Sequence, residues 1–169
     1  MTNEQVQTLV KDLSARTPYG VMVRVDGVFH DPMDERLEYI DFYNRIHLCG
    51  YNFGITIAEP NCGDKEIKPY LRPVVSMTED EAVEYFRLQT NNPYAEVTDF
   101  KIEEYTWCLS ANVNGEHFCY CWGDISNIKT FDWLNERMFD YRGLIYEDLA
   151  LAAPEDMYDF SNTDESCNK

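Results

Sequence analysis

The sequence predicts an α+β fold, in which a small, strongly bent antiparallel sheet or partial barrel carries about three to four flanking helices. Three observations predict it. Apolar residues recur at helical spacing in separated segments, beginning with the first 16 residues. Between these segments the apolar runs are short, alternate with polar residues and end near Gly, Pro or Asn. One Asn-Gly pair also separates two alternating runs, which is the strongest short-range signal for an antiparallel hairpin.

The first third of the chain is predicted to contain one helix followed by short strands. Thr2 and Gln5 have the spacing of a capping box, so a helix is predicted over 3–16, and the breaker at 17–20 ends it. An Asp-Gly pair then predicts a tight hairpin, and further strands follow at short intervals. The predicted strands cover residues 21–25, 28–30, 37–42, 46–48 and 53–57.

Helices and one hairpin are predicted in the rest of the chain. Ser76 or Thr78 can cap a helix, and Thr78 with Glu81 repeats the capping-box spacing. The pair Asn114-Gly115 is the turn of the hairpin. The predicted ranges are 78–89 for this helix, 96–110 and 116–122 for the hairpin, and 146–152 for a short last helix. Between the hairpin and the last helix, Ser126 or Asn127 is predicted to cap a helix that extends to about residue 139.

The chain shows no internal repeat and no low-complexity linker that would divide it. Residues 1–158 are therefore predicted to form a single domain, which is long enough to bury a sizeable core. Apolar residues become sparse beyond Pro154, so mobility is expected from Glu155 onward. Residues 159–169 are predicted to be a mobile acidic tail.

The strongest feature of the composition is its negative charge. The chain has 31 Asp and Glu against 14 Lys and Arg, which gives a formal net charge of -17. This charge excludes ordinary binding to duplex DNA or RNA, which needs cations to displace counterions from phosphates, and it disfavours an anionic membrane surface. The apolar runs are too short to span a bilayer, and the first residues lack the pattern of a signal peptide. We therefore expect a cytoplasmic protein whose six cysteines are reduced.

Cysteine and histidine side chains share one face of the predicted hairpin. Around the Asn-Gly turn Cys108 opposes Cys121, while His117 and Cys119 alternate with Cys121 along the same strand. Such a face can bind zinc, form a Cys108–Cys121 disulfide or simply pack. Zinc ligands usually come from elements that wrap a tetrahedron, whereas neighbouring strands spread their side chains apart. Packing of reduced thiols is therefore the favoured interpretation.

Carboxylates are abundant, but their spacing does not indicate a catalytic pair. Glu103 and Glu104 are adjacent in a predicted strand, so their side chains point to opposite faces. The glycine-rich motifs that cradle phosphates and the calcium-loop pattern are both absent from the sequence. We therefore predict a protein that is not an enzyme and that has no catalytic residues, no metal and no cofactor.

The acidic residues themselves are the candidate site. Residues 101–169 contain 14 acidic and 5 basic side chains, so this part is predicted to contact a basic partner. Asp132 and Glu136 are four residues apart on a predicted helix and therefore share a face. The predicted partner-binding residues are Glu103, Glu104, Asp124, Asp132, Glu136, Asp140, Glu147 and Asp148.

Several longer motifs resemble a family of small uncharacterised proteins from phages and prophages of gut bacteria. They are KPYLRP at 68–73, SMTEDE at 76–81, DWLN at 132–135, FDYRGLI at 139–145 and LALAAPE at 149–155, with support from 12–16 and 18–21. The chain departs from the family pattern at Val75, where a second Ser is usual, and at Asp148, where Gly is usual. We interpret the motif residues as scaffold, in which Arg72 and Arg142 pair with carboxylates.

The resemblance implies a phage or mobile-element origin and no particular reaction. Small acidic phage proteins are often inhibitors of host defence, including anti-CRISPR proteins, that imitate nucleic acid or block its channel. With the charge, this favours a protein that binds and inhibits a basic nucleic-acid-handling defence protein, such as a Cas9-type nuclease, in the bacterial cytoplasm. The alternatives are a small phage hydrolase or metal-binding protein that uses the Cys/His strand face, and a scaffold protein whose acidity is incidental.

Overall fold

The computed structural model describes residues 1–28, 30–57, 66–103, 108–121, 125, 127–158 and 160, which form three α-helices and nine strands in two sheets. The helices are α1 (Asn3–Arg16), α2 (Glu79–Gln89) and α3 (Ile128–Glu136). The strands are β1 (Met22–Asp26), β2 (Met33–Ile40), β3 (Arg45–Leu48), β4 (Gly54–Thr56), β5 (Glu66–Leu71), β6 (Val97–Glu103), β7 (Cys108–Val113), β8 (Glu116–Cys121) and β9 (Leu151–Ala152). The predicted mixture of helices and sheet is confirmed, although the sheets do not close into a barrel. Within the described ranges, none of the helices has both the length and the apolarity that a membrane span requires.

The larger sheet has the strand order β4-β3-β2-β1-β5-β9 and is antiparallel except for β9, which runs parallel to β5. Helix α1 covers this sheet because Leu9 and Leu13 lie on one side of the helix, where both are fully buried in a cluster with Val23 and Leu37. The predicted capping box is confirmed: the Thr2 side chain accepts a hydrogen bond from the Gln5 amide at 3.2 Å.

The smaller sheet, with the order β6-β7-β8, forms a second apolar cluster with α2 and α3. Tyr85 and Phe86 from α2 and Leu134 from α3 are fully buried against Leu109 and Ala111 of β7. The predicted Asn-Gly hairpin is confirmed in β7 and β8 with its expected register. The predicted run 96–110, however, is divided into β6 and β7, which pair with each other.

A buried group of charges joins the two apolar clusters. Asp12 and Arg16 on α1 are fully buried, and the Asp12 carboxylate accepts from Nε and Nη2 of Arg16 at 2.8 and 3.1 Å. Arg16 Nη2 also donates to the carbonyl oxygen of Phe139, a member of the second cluster, at 2.8 Å. Nε of Arg142 lies 3.1 Å from Asp12 Oδ1. One carboxylate thus pairs with two guanidinium groups, which confirms the predicted carboxylate partner of Arg142.

The predicted hairpin at Asp26-Gly27 is wrong. Strand β1 does end at Asp26, but β2 begins only at Met33, and Val28 and His30 lie in the connection between them. Met33 pairs with Val25, so the strands align over a longer loop than the two-residue turn that the Asp-Gly signal favours.

Two strands, β5 and β9, were not predicted. Pro69 reads as a break in the sequence because it lacks an amide donor, yet it is buried in β5 opposite Val23. Strand β9 pairs only with Tyr70 and Leu71, so the missing Pro69 amide has no ladder position to fill on that side. Both strands are defined by pairing over a long sequence separation, which no local pattern reveals.

The predicted helix over 146–152 is also wrong. A single helical turn forms slightly earlier, where the Glu147 amide donates to the Gly143 carbonyl at 3.1 Å, and it ends at Asp148. Asp148 has a φ of +58°, in the left-handed region that favours glycine. The chain then turns into β9. Glycine would adopt this conformation without a steric cost.

Part of the segment expected to be mobile is held against the body of the protein. The Tyr158 hydroxyl accepts from the Met22 amide at 3.0 Å and donates to the Tyr70 carbonyl at 2.8 Å. Burial raises the pKa of Tyr158 to about 12. Phe160 stacks on Tyr158, and the Arg72 guanidinium lies 5.1 Å from its ring centre. The expectation of mobility from Glu155 onward is therefore corrected as far as Phe160, while residues 159 and 161–169 lie outside the described residues.

Candidate partner-binding surface

The predicted pair Asp132 and Glu136 lies on the outer side of α3. The helix begins at Asn127, whose side chain accepts a hydrogen bond from the Lys129 amide at 3.0 Å. Trp133 and Leu134 are buried against the second apolar cluster, which leaves Asp132 exposed and Glu136 partly exposed.

Both carboxylates affect one tyrosine, Tyr19, which ends the short helical turn after α1. Burial raises the pKa of Tyr19, and the negative charges of Asp132 and Glu136 raise it further. Both residues lie in α3 four positions apart, about one helical turn, so they share a face of the helix as predicted. We call Tyr19, Asp132 and Glu136 the α3 acidic face. Lys129, one turn earlier on α3, is exposed and adds a single positive charge nearby.

Glu147 and Asp148 belong to a different surface. Both are exposed, but Asp148 Oδ1 accepts a hydrogen bond from Lys68 Nζ at 2.7 Å. Lys68 also lies 3.0 Å from Glu66, in a groove of about 360 Å³ that Asp26 lines as well. The charge of Asp148 is thus partly neutralised by Lys68, a residue of the same chain. Asp148 lies near β5, toward the edge of the larger sheet.

Asp140 does not lie on the surface, so its prediction as a contact residue is corrected. It is 1% exposed, and its two carboxylate oxygens accept from the amides of Leu144 and Ile145 at 2.9 and 2.8 Å. Burial raises the pKa of this carboxyl. Asp140 therefore stabilises the turn after α3. The side chain of Glu103, and all of Glu104 and Asp124, lie outside the described residues.

Many Lys and Arg side chains form ion pairs with carboxylates of the same chain. Arg72 donates to Glu81 through Nη1 at 2.7 Å, which confirms the predicted carboxylate partner of Arg72. Burial is the largest single effect and opposes ionisation of Glu81. The hydrogen bonds from Arg72 and Thr78 and the charge of Arg72 together outweigh it, so the pKa of Glu81 is lowered. Among the described residues, the Lys and Arg side chains found in ion pairs with carboxylates are Arg16, Arg24, Arg45, Lys68, Arg72, Arg137 and Arg142. The internal pairing leaves the surplus of negative charge on the surface.

An exposed aromatic hairpin tip was not predicted as a site. The sequence pattern places Phe42 in a strand, but β2 ends at Ile40, and the turn that follows presents Phe42 at 96% exposure and Tyr43 at 73%. Tyr39, at the end of β2, stacks on His47 of β3 with ring centres 4.1 Å apart. We call Tyr39, Phe42 and Tyr43 the aromatic tip.

The turn beneath the aromatic tip is held by Asp41. Its carboxylate accepts from the amides of Tyr43 and Arg45 at 2.9 and 3.1 Å and from Arg45 Nε at 2.7 Å. The hydrogen bond from the Arg45 side chain is the main reason that the pKa of Asp41 lies far below its usual range. The Arg45 guanidinium in turn lies 5.3 Å from the Tyr43 ring centre. The turn that carries the aromatic tip is therefore held by hydrogen bonds within the protein.

Strand β2 connects the two surfaces. Arg36 of β2 packs on Gly20, the residue after Tyr19, so closely that a Cβ there would lie 2.7 Å from Arg36 Nε. Gly20 also has a φ of +78°, which favours glycine. Phe42 follows Arg36 by six residues, a distance of about 20 Å in extended chain.

The cysteine face differs from the prediction in two ways. Cys108 and Cys121 oppose each other as predicted, but their sulfurs form a disulfide, so the expectation that all six cysteines are reduced is wrong. Of the four potential ligands, Cys108, Cys119 and Cys121 bring their sulfur atoms to within 4.8 Å of one another, while His117 is not part of this group. The three sulfur atoms thus lie closer together than expected for side chains that spread apart on neighbouring strands.

No family model, curated protein or solved structure matches this chain.

Proposed function

We propose that this protein is a phage-encoded, non-enzymatic inhibitor that binds a basic nucleic-acid-handling defence protein of a bacterium. A Cas9-type nuclease is the most specific form of this proposal. The observation that carries it is the net charge of -17 together with exposed carboxylates that a folded helix holds in place, of which the α3 acidic face is the clearest case. The resemblance to phage and prophage proteins supports the origin and suggests no reaction.

The mechanism follows from electrostatics. A nuclease holds its nucleic acid in a positively charged channel, and an acidic competitor is attracted by the same long-range field. Carboxylates on a packed helix are already positioned, so binding costs less conformational entropy than it would for a flexible acidic tail. Complementary charge of this kind mainly raises the association rate and selects against acidic partners.

We propose that the aromatic tip contributes apolar contact area, which charged side chains do not provide. Exposed, ordered aromatic side chains are the usual anchors of protein interfaces because they bury a large apolar area with few torsions to restrict. A standard interface covers about 800 Å² on each partner, so more than one local group of residues is expected to contribute to it. We therefore propose that the tip enters an apolar pocket beside the basic channel, while the carboxylates face the channel itself.

Reversing the α3 acidic face should slow association. In the double variant Asp132→Lys, Glu136→Lys we expect the association rate with the target nuclease to fall about tenfold or more at low ionic strength, because a steered encounter loses its attraction. Binding kinetics at low and high salt measure this effect. The matched control is Glu96→Lys, Glu116→Lys, which changes the net charge equally at two exposed positions beside the β7–β8 turn.

The proposal fails if the wild-type protein binds none of a panel of basic nucleases, or if its binding does not weaken with salt. Equal losses in the two double variants would show that only net charge matters and that the α3 acidic face is an ordinary solvated surface. Circular dichroism of each variant establishes that it is folded.

The end of the acidic tail should be dispensable. Deleting residues 161–169 should leave nuclease inhibition nearly unchanged, because the charges it removes are not needed to position the α3 acidic face or the aromatic tip. Phe160 is retained because it stacks on Tyr158 and lies under Arg72. Inhibition assays of the truncated and full chains check this, and a large loss of inhibition in the truncated chain would move the contact surface to the tail.

A further inference from the structure

Three cysteines meet on the outer face of the smaller sheet. Cys108 of β7 lies opposite Cys121 of β8, and Cys119 follows two residues before Cys121 on the same face. The opposite face of β7 carries Leu109 and Ala111, both fully buried in the second apolar cluster. Cys108 is 7% exposed, Cys121 is partly exposed and Cys119 is exposed. The three cysteines therefore lie on the face opposite Leu109 and Ala111, with Cys108 buried and Cys119 exposed.

The spacing of the sulfur atoms suits a single metal ion. All three lie within 4.8 Å of one another. Two thiolates bound to one tetrahedral zinc, at about 2.3 Å each, lie about 3.8 Å apart. A disulfide holds its sulfurs about 2.05 Å apart, so after reduction those of Cys108 and Cys121 must separate by about 1.7 Å. The Cys119 sulfur needs to approach them by about 1 Å or less. Side-chain rotation on two paired strands can supply both movements without a change of register.

We propose that, once the disulfide is reduced, Cys108, Cys119 and Cys121 together bind one thiophilic divalent cation such as Zn²⁺. This inference goes beyond the proposed inhibitor function and does not depend on it. Thiolates are the ligands that select zinc over the hard cations, and three of them leave the fourth tetrahedral position for water or an external thiol. His117 lies further along β8, and the structure assigns it no part in the site.

The disulfide and the metal site exclude each other. A dithiol reductant of the thioredoxin class donates two electrons and two protons to the Cys108–Cys121 bond, which yields two thiols and the oxidised dithiol. Zn²⁺ then replaces the thiol protons, which pass to solvent. Reoxidation by a low-molecular-weight disulfide, which takes up the two electrons and becomes two thiols, re-forms the Cys108–Cys121 bond. This removes two of the three ligands and releases the ion. The same face thus has an oxidised, metal-free form and a reduced, metal-bound form.

Cobalt titration of the full chain tests this proposal. The protein is reduced with a phosphine, which does not chelate metal as dithiols do, and titrated with Co²⁺ under inert gas. We expect thiolate-to-cobalt charge-transfer absorption that saturates at one ion per chain and disappears when Zn²⁺ is added. The unreduced protein should show no such band.

Variants separate this site from other thiols. Cys119→Ser should weaken cobalt binding about tenfold or more, while its circular dichroism stays unchanged because Cys119 is exposed. The matched control Cys49→Ser removes the other described cysteine outside the disulfide and should bind as wild type. The proposal is wrong if the reduced chain gives no charge-transfer band, or if Cys119→Ser binds cobalt normally. A loss of binding in His117→Ala would overturn the three-cysteine assignment.

Discussion

Replacing Asp12 by Ala is expected to lower the free energy of unfolding by about 3–5 kcal/mol, because it leaves a buried guanidinium without its partner. Both Asp12 and Arg16 have fully buried side chains, and Arg16 donates two hydrogen bonds to Asp12 and one to the Phe139 carbonyl. Arg142 loses the same carboxylate. Since this group of charges joins the two apolar clusters, we expect the substitution to destabilise both clusters.

Denaturant unfolding of Asp12→Ala against wild type measures the effect. The control is Asp132→Ala, which removes an exposed carboxylate and should change the free energy of unfolding by less than about 0.5 kcal/mol. A loss below about 1 kcal/mol in Asp12→Ala would mean that water or other side chains replace the missing carboxylate. In that case the ion pairs of Asp12 with Arg16 and Arg142 would not be what holds α1 to the segment after α3.

Removing the aromatic tip is expected to cost affinity without costing stability. In the double variant Phe42→Ala, Tyr43→Ala we expect the dissociation constant for the target nuclease to rise about 30-fold or more, about 2 kcal/mol, as for a central interface anchor. The unfolding transition should not move, because Phe42 and Tyr43 are 96% and 73% exposed in the protein alone. Calorimetric titration and thermal unfolding of the same sample measure both quantities.

Tyr94→Ala is the matched control for the aromatic tip. Tyr94 is 90% exposed but lies between α2 and β6, away from the β2–β3 turn. The control should bind the nuclease as wild type does. If the tip variant binds equally well, the tip is not part of the interface, and the interaction rests on the carboxylates alone.

The difference between the charge and tip variants is kinetic. Loss of the α3 acidic face should appear mainly in the association rate and should shrink at high salt. Loss of the aromatic tip should appear mainly in the dissociation rate and should persist at high salt, because apolar burial is not screened. Rates measured at two salt concentrations therefore assign each surface its role independently.

The features that the sequence determined by itself depend on residues close together in the chain. The capping boxes at Thr2 and Thr78 join groups three residues apart, and both form as predicted. The Asn114-Gly115 turn sets the register of β7 and β8. The shared face of Asp132 and Glu136 follows from the helical repeat. The net charge needs no structure at all, and it carries most of the proposed function.

Tertiary structure alone decided the features that depend on distant partners. Pro69 becomes part of a strand because β1 pairs with it while β9 pairs only with the two residues that follow. Asp140 resembles a surface charge in the sequence, but it is buried and its oxygens accept from the amides of the next turn. Phe42 becomes exposed because Asp41 closes a turn where an alternating pattern predicts strand. A local pattern records which residues are apolar or charged, whereas burial and pairing are set by what the rest of the chain places against them.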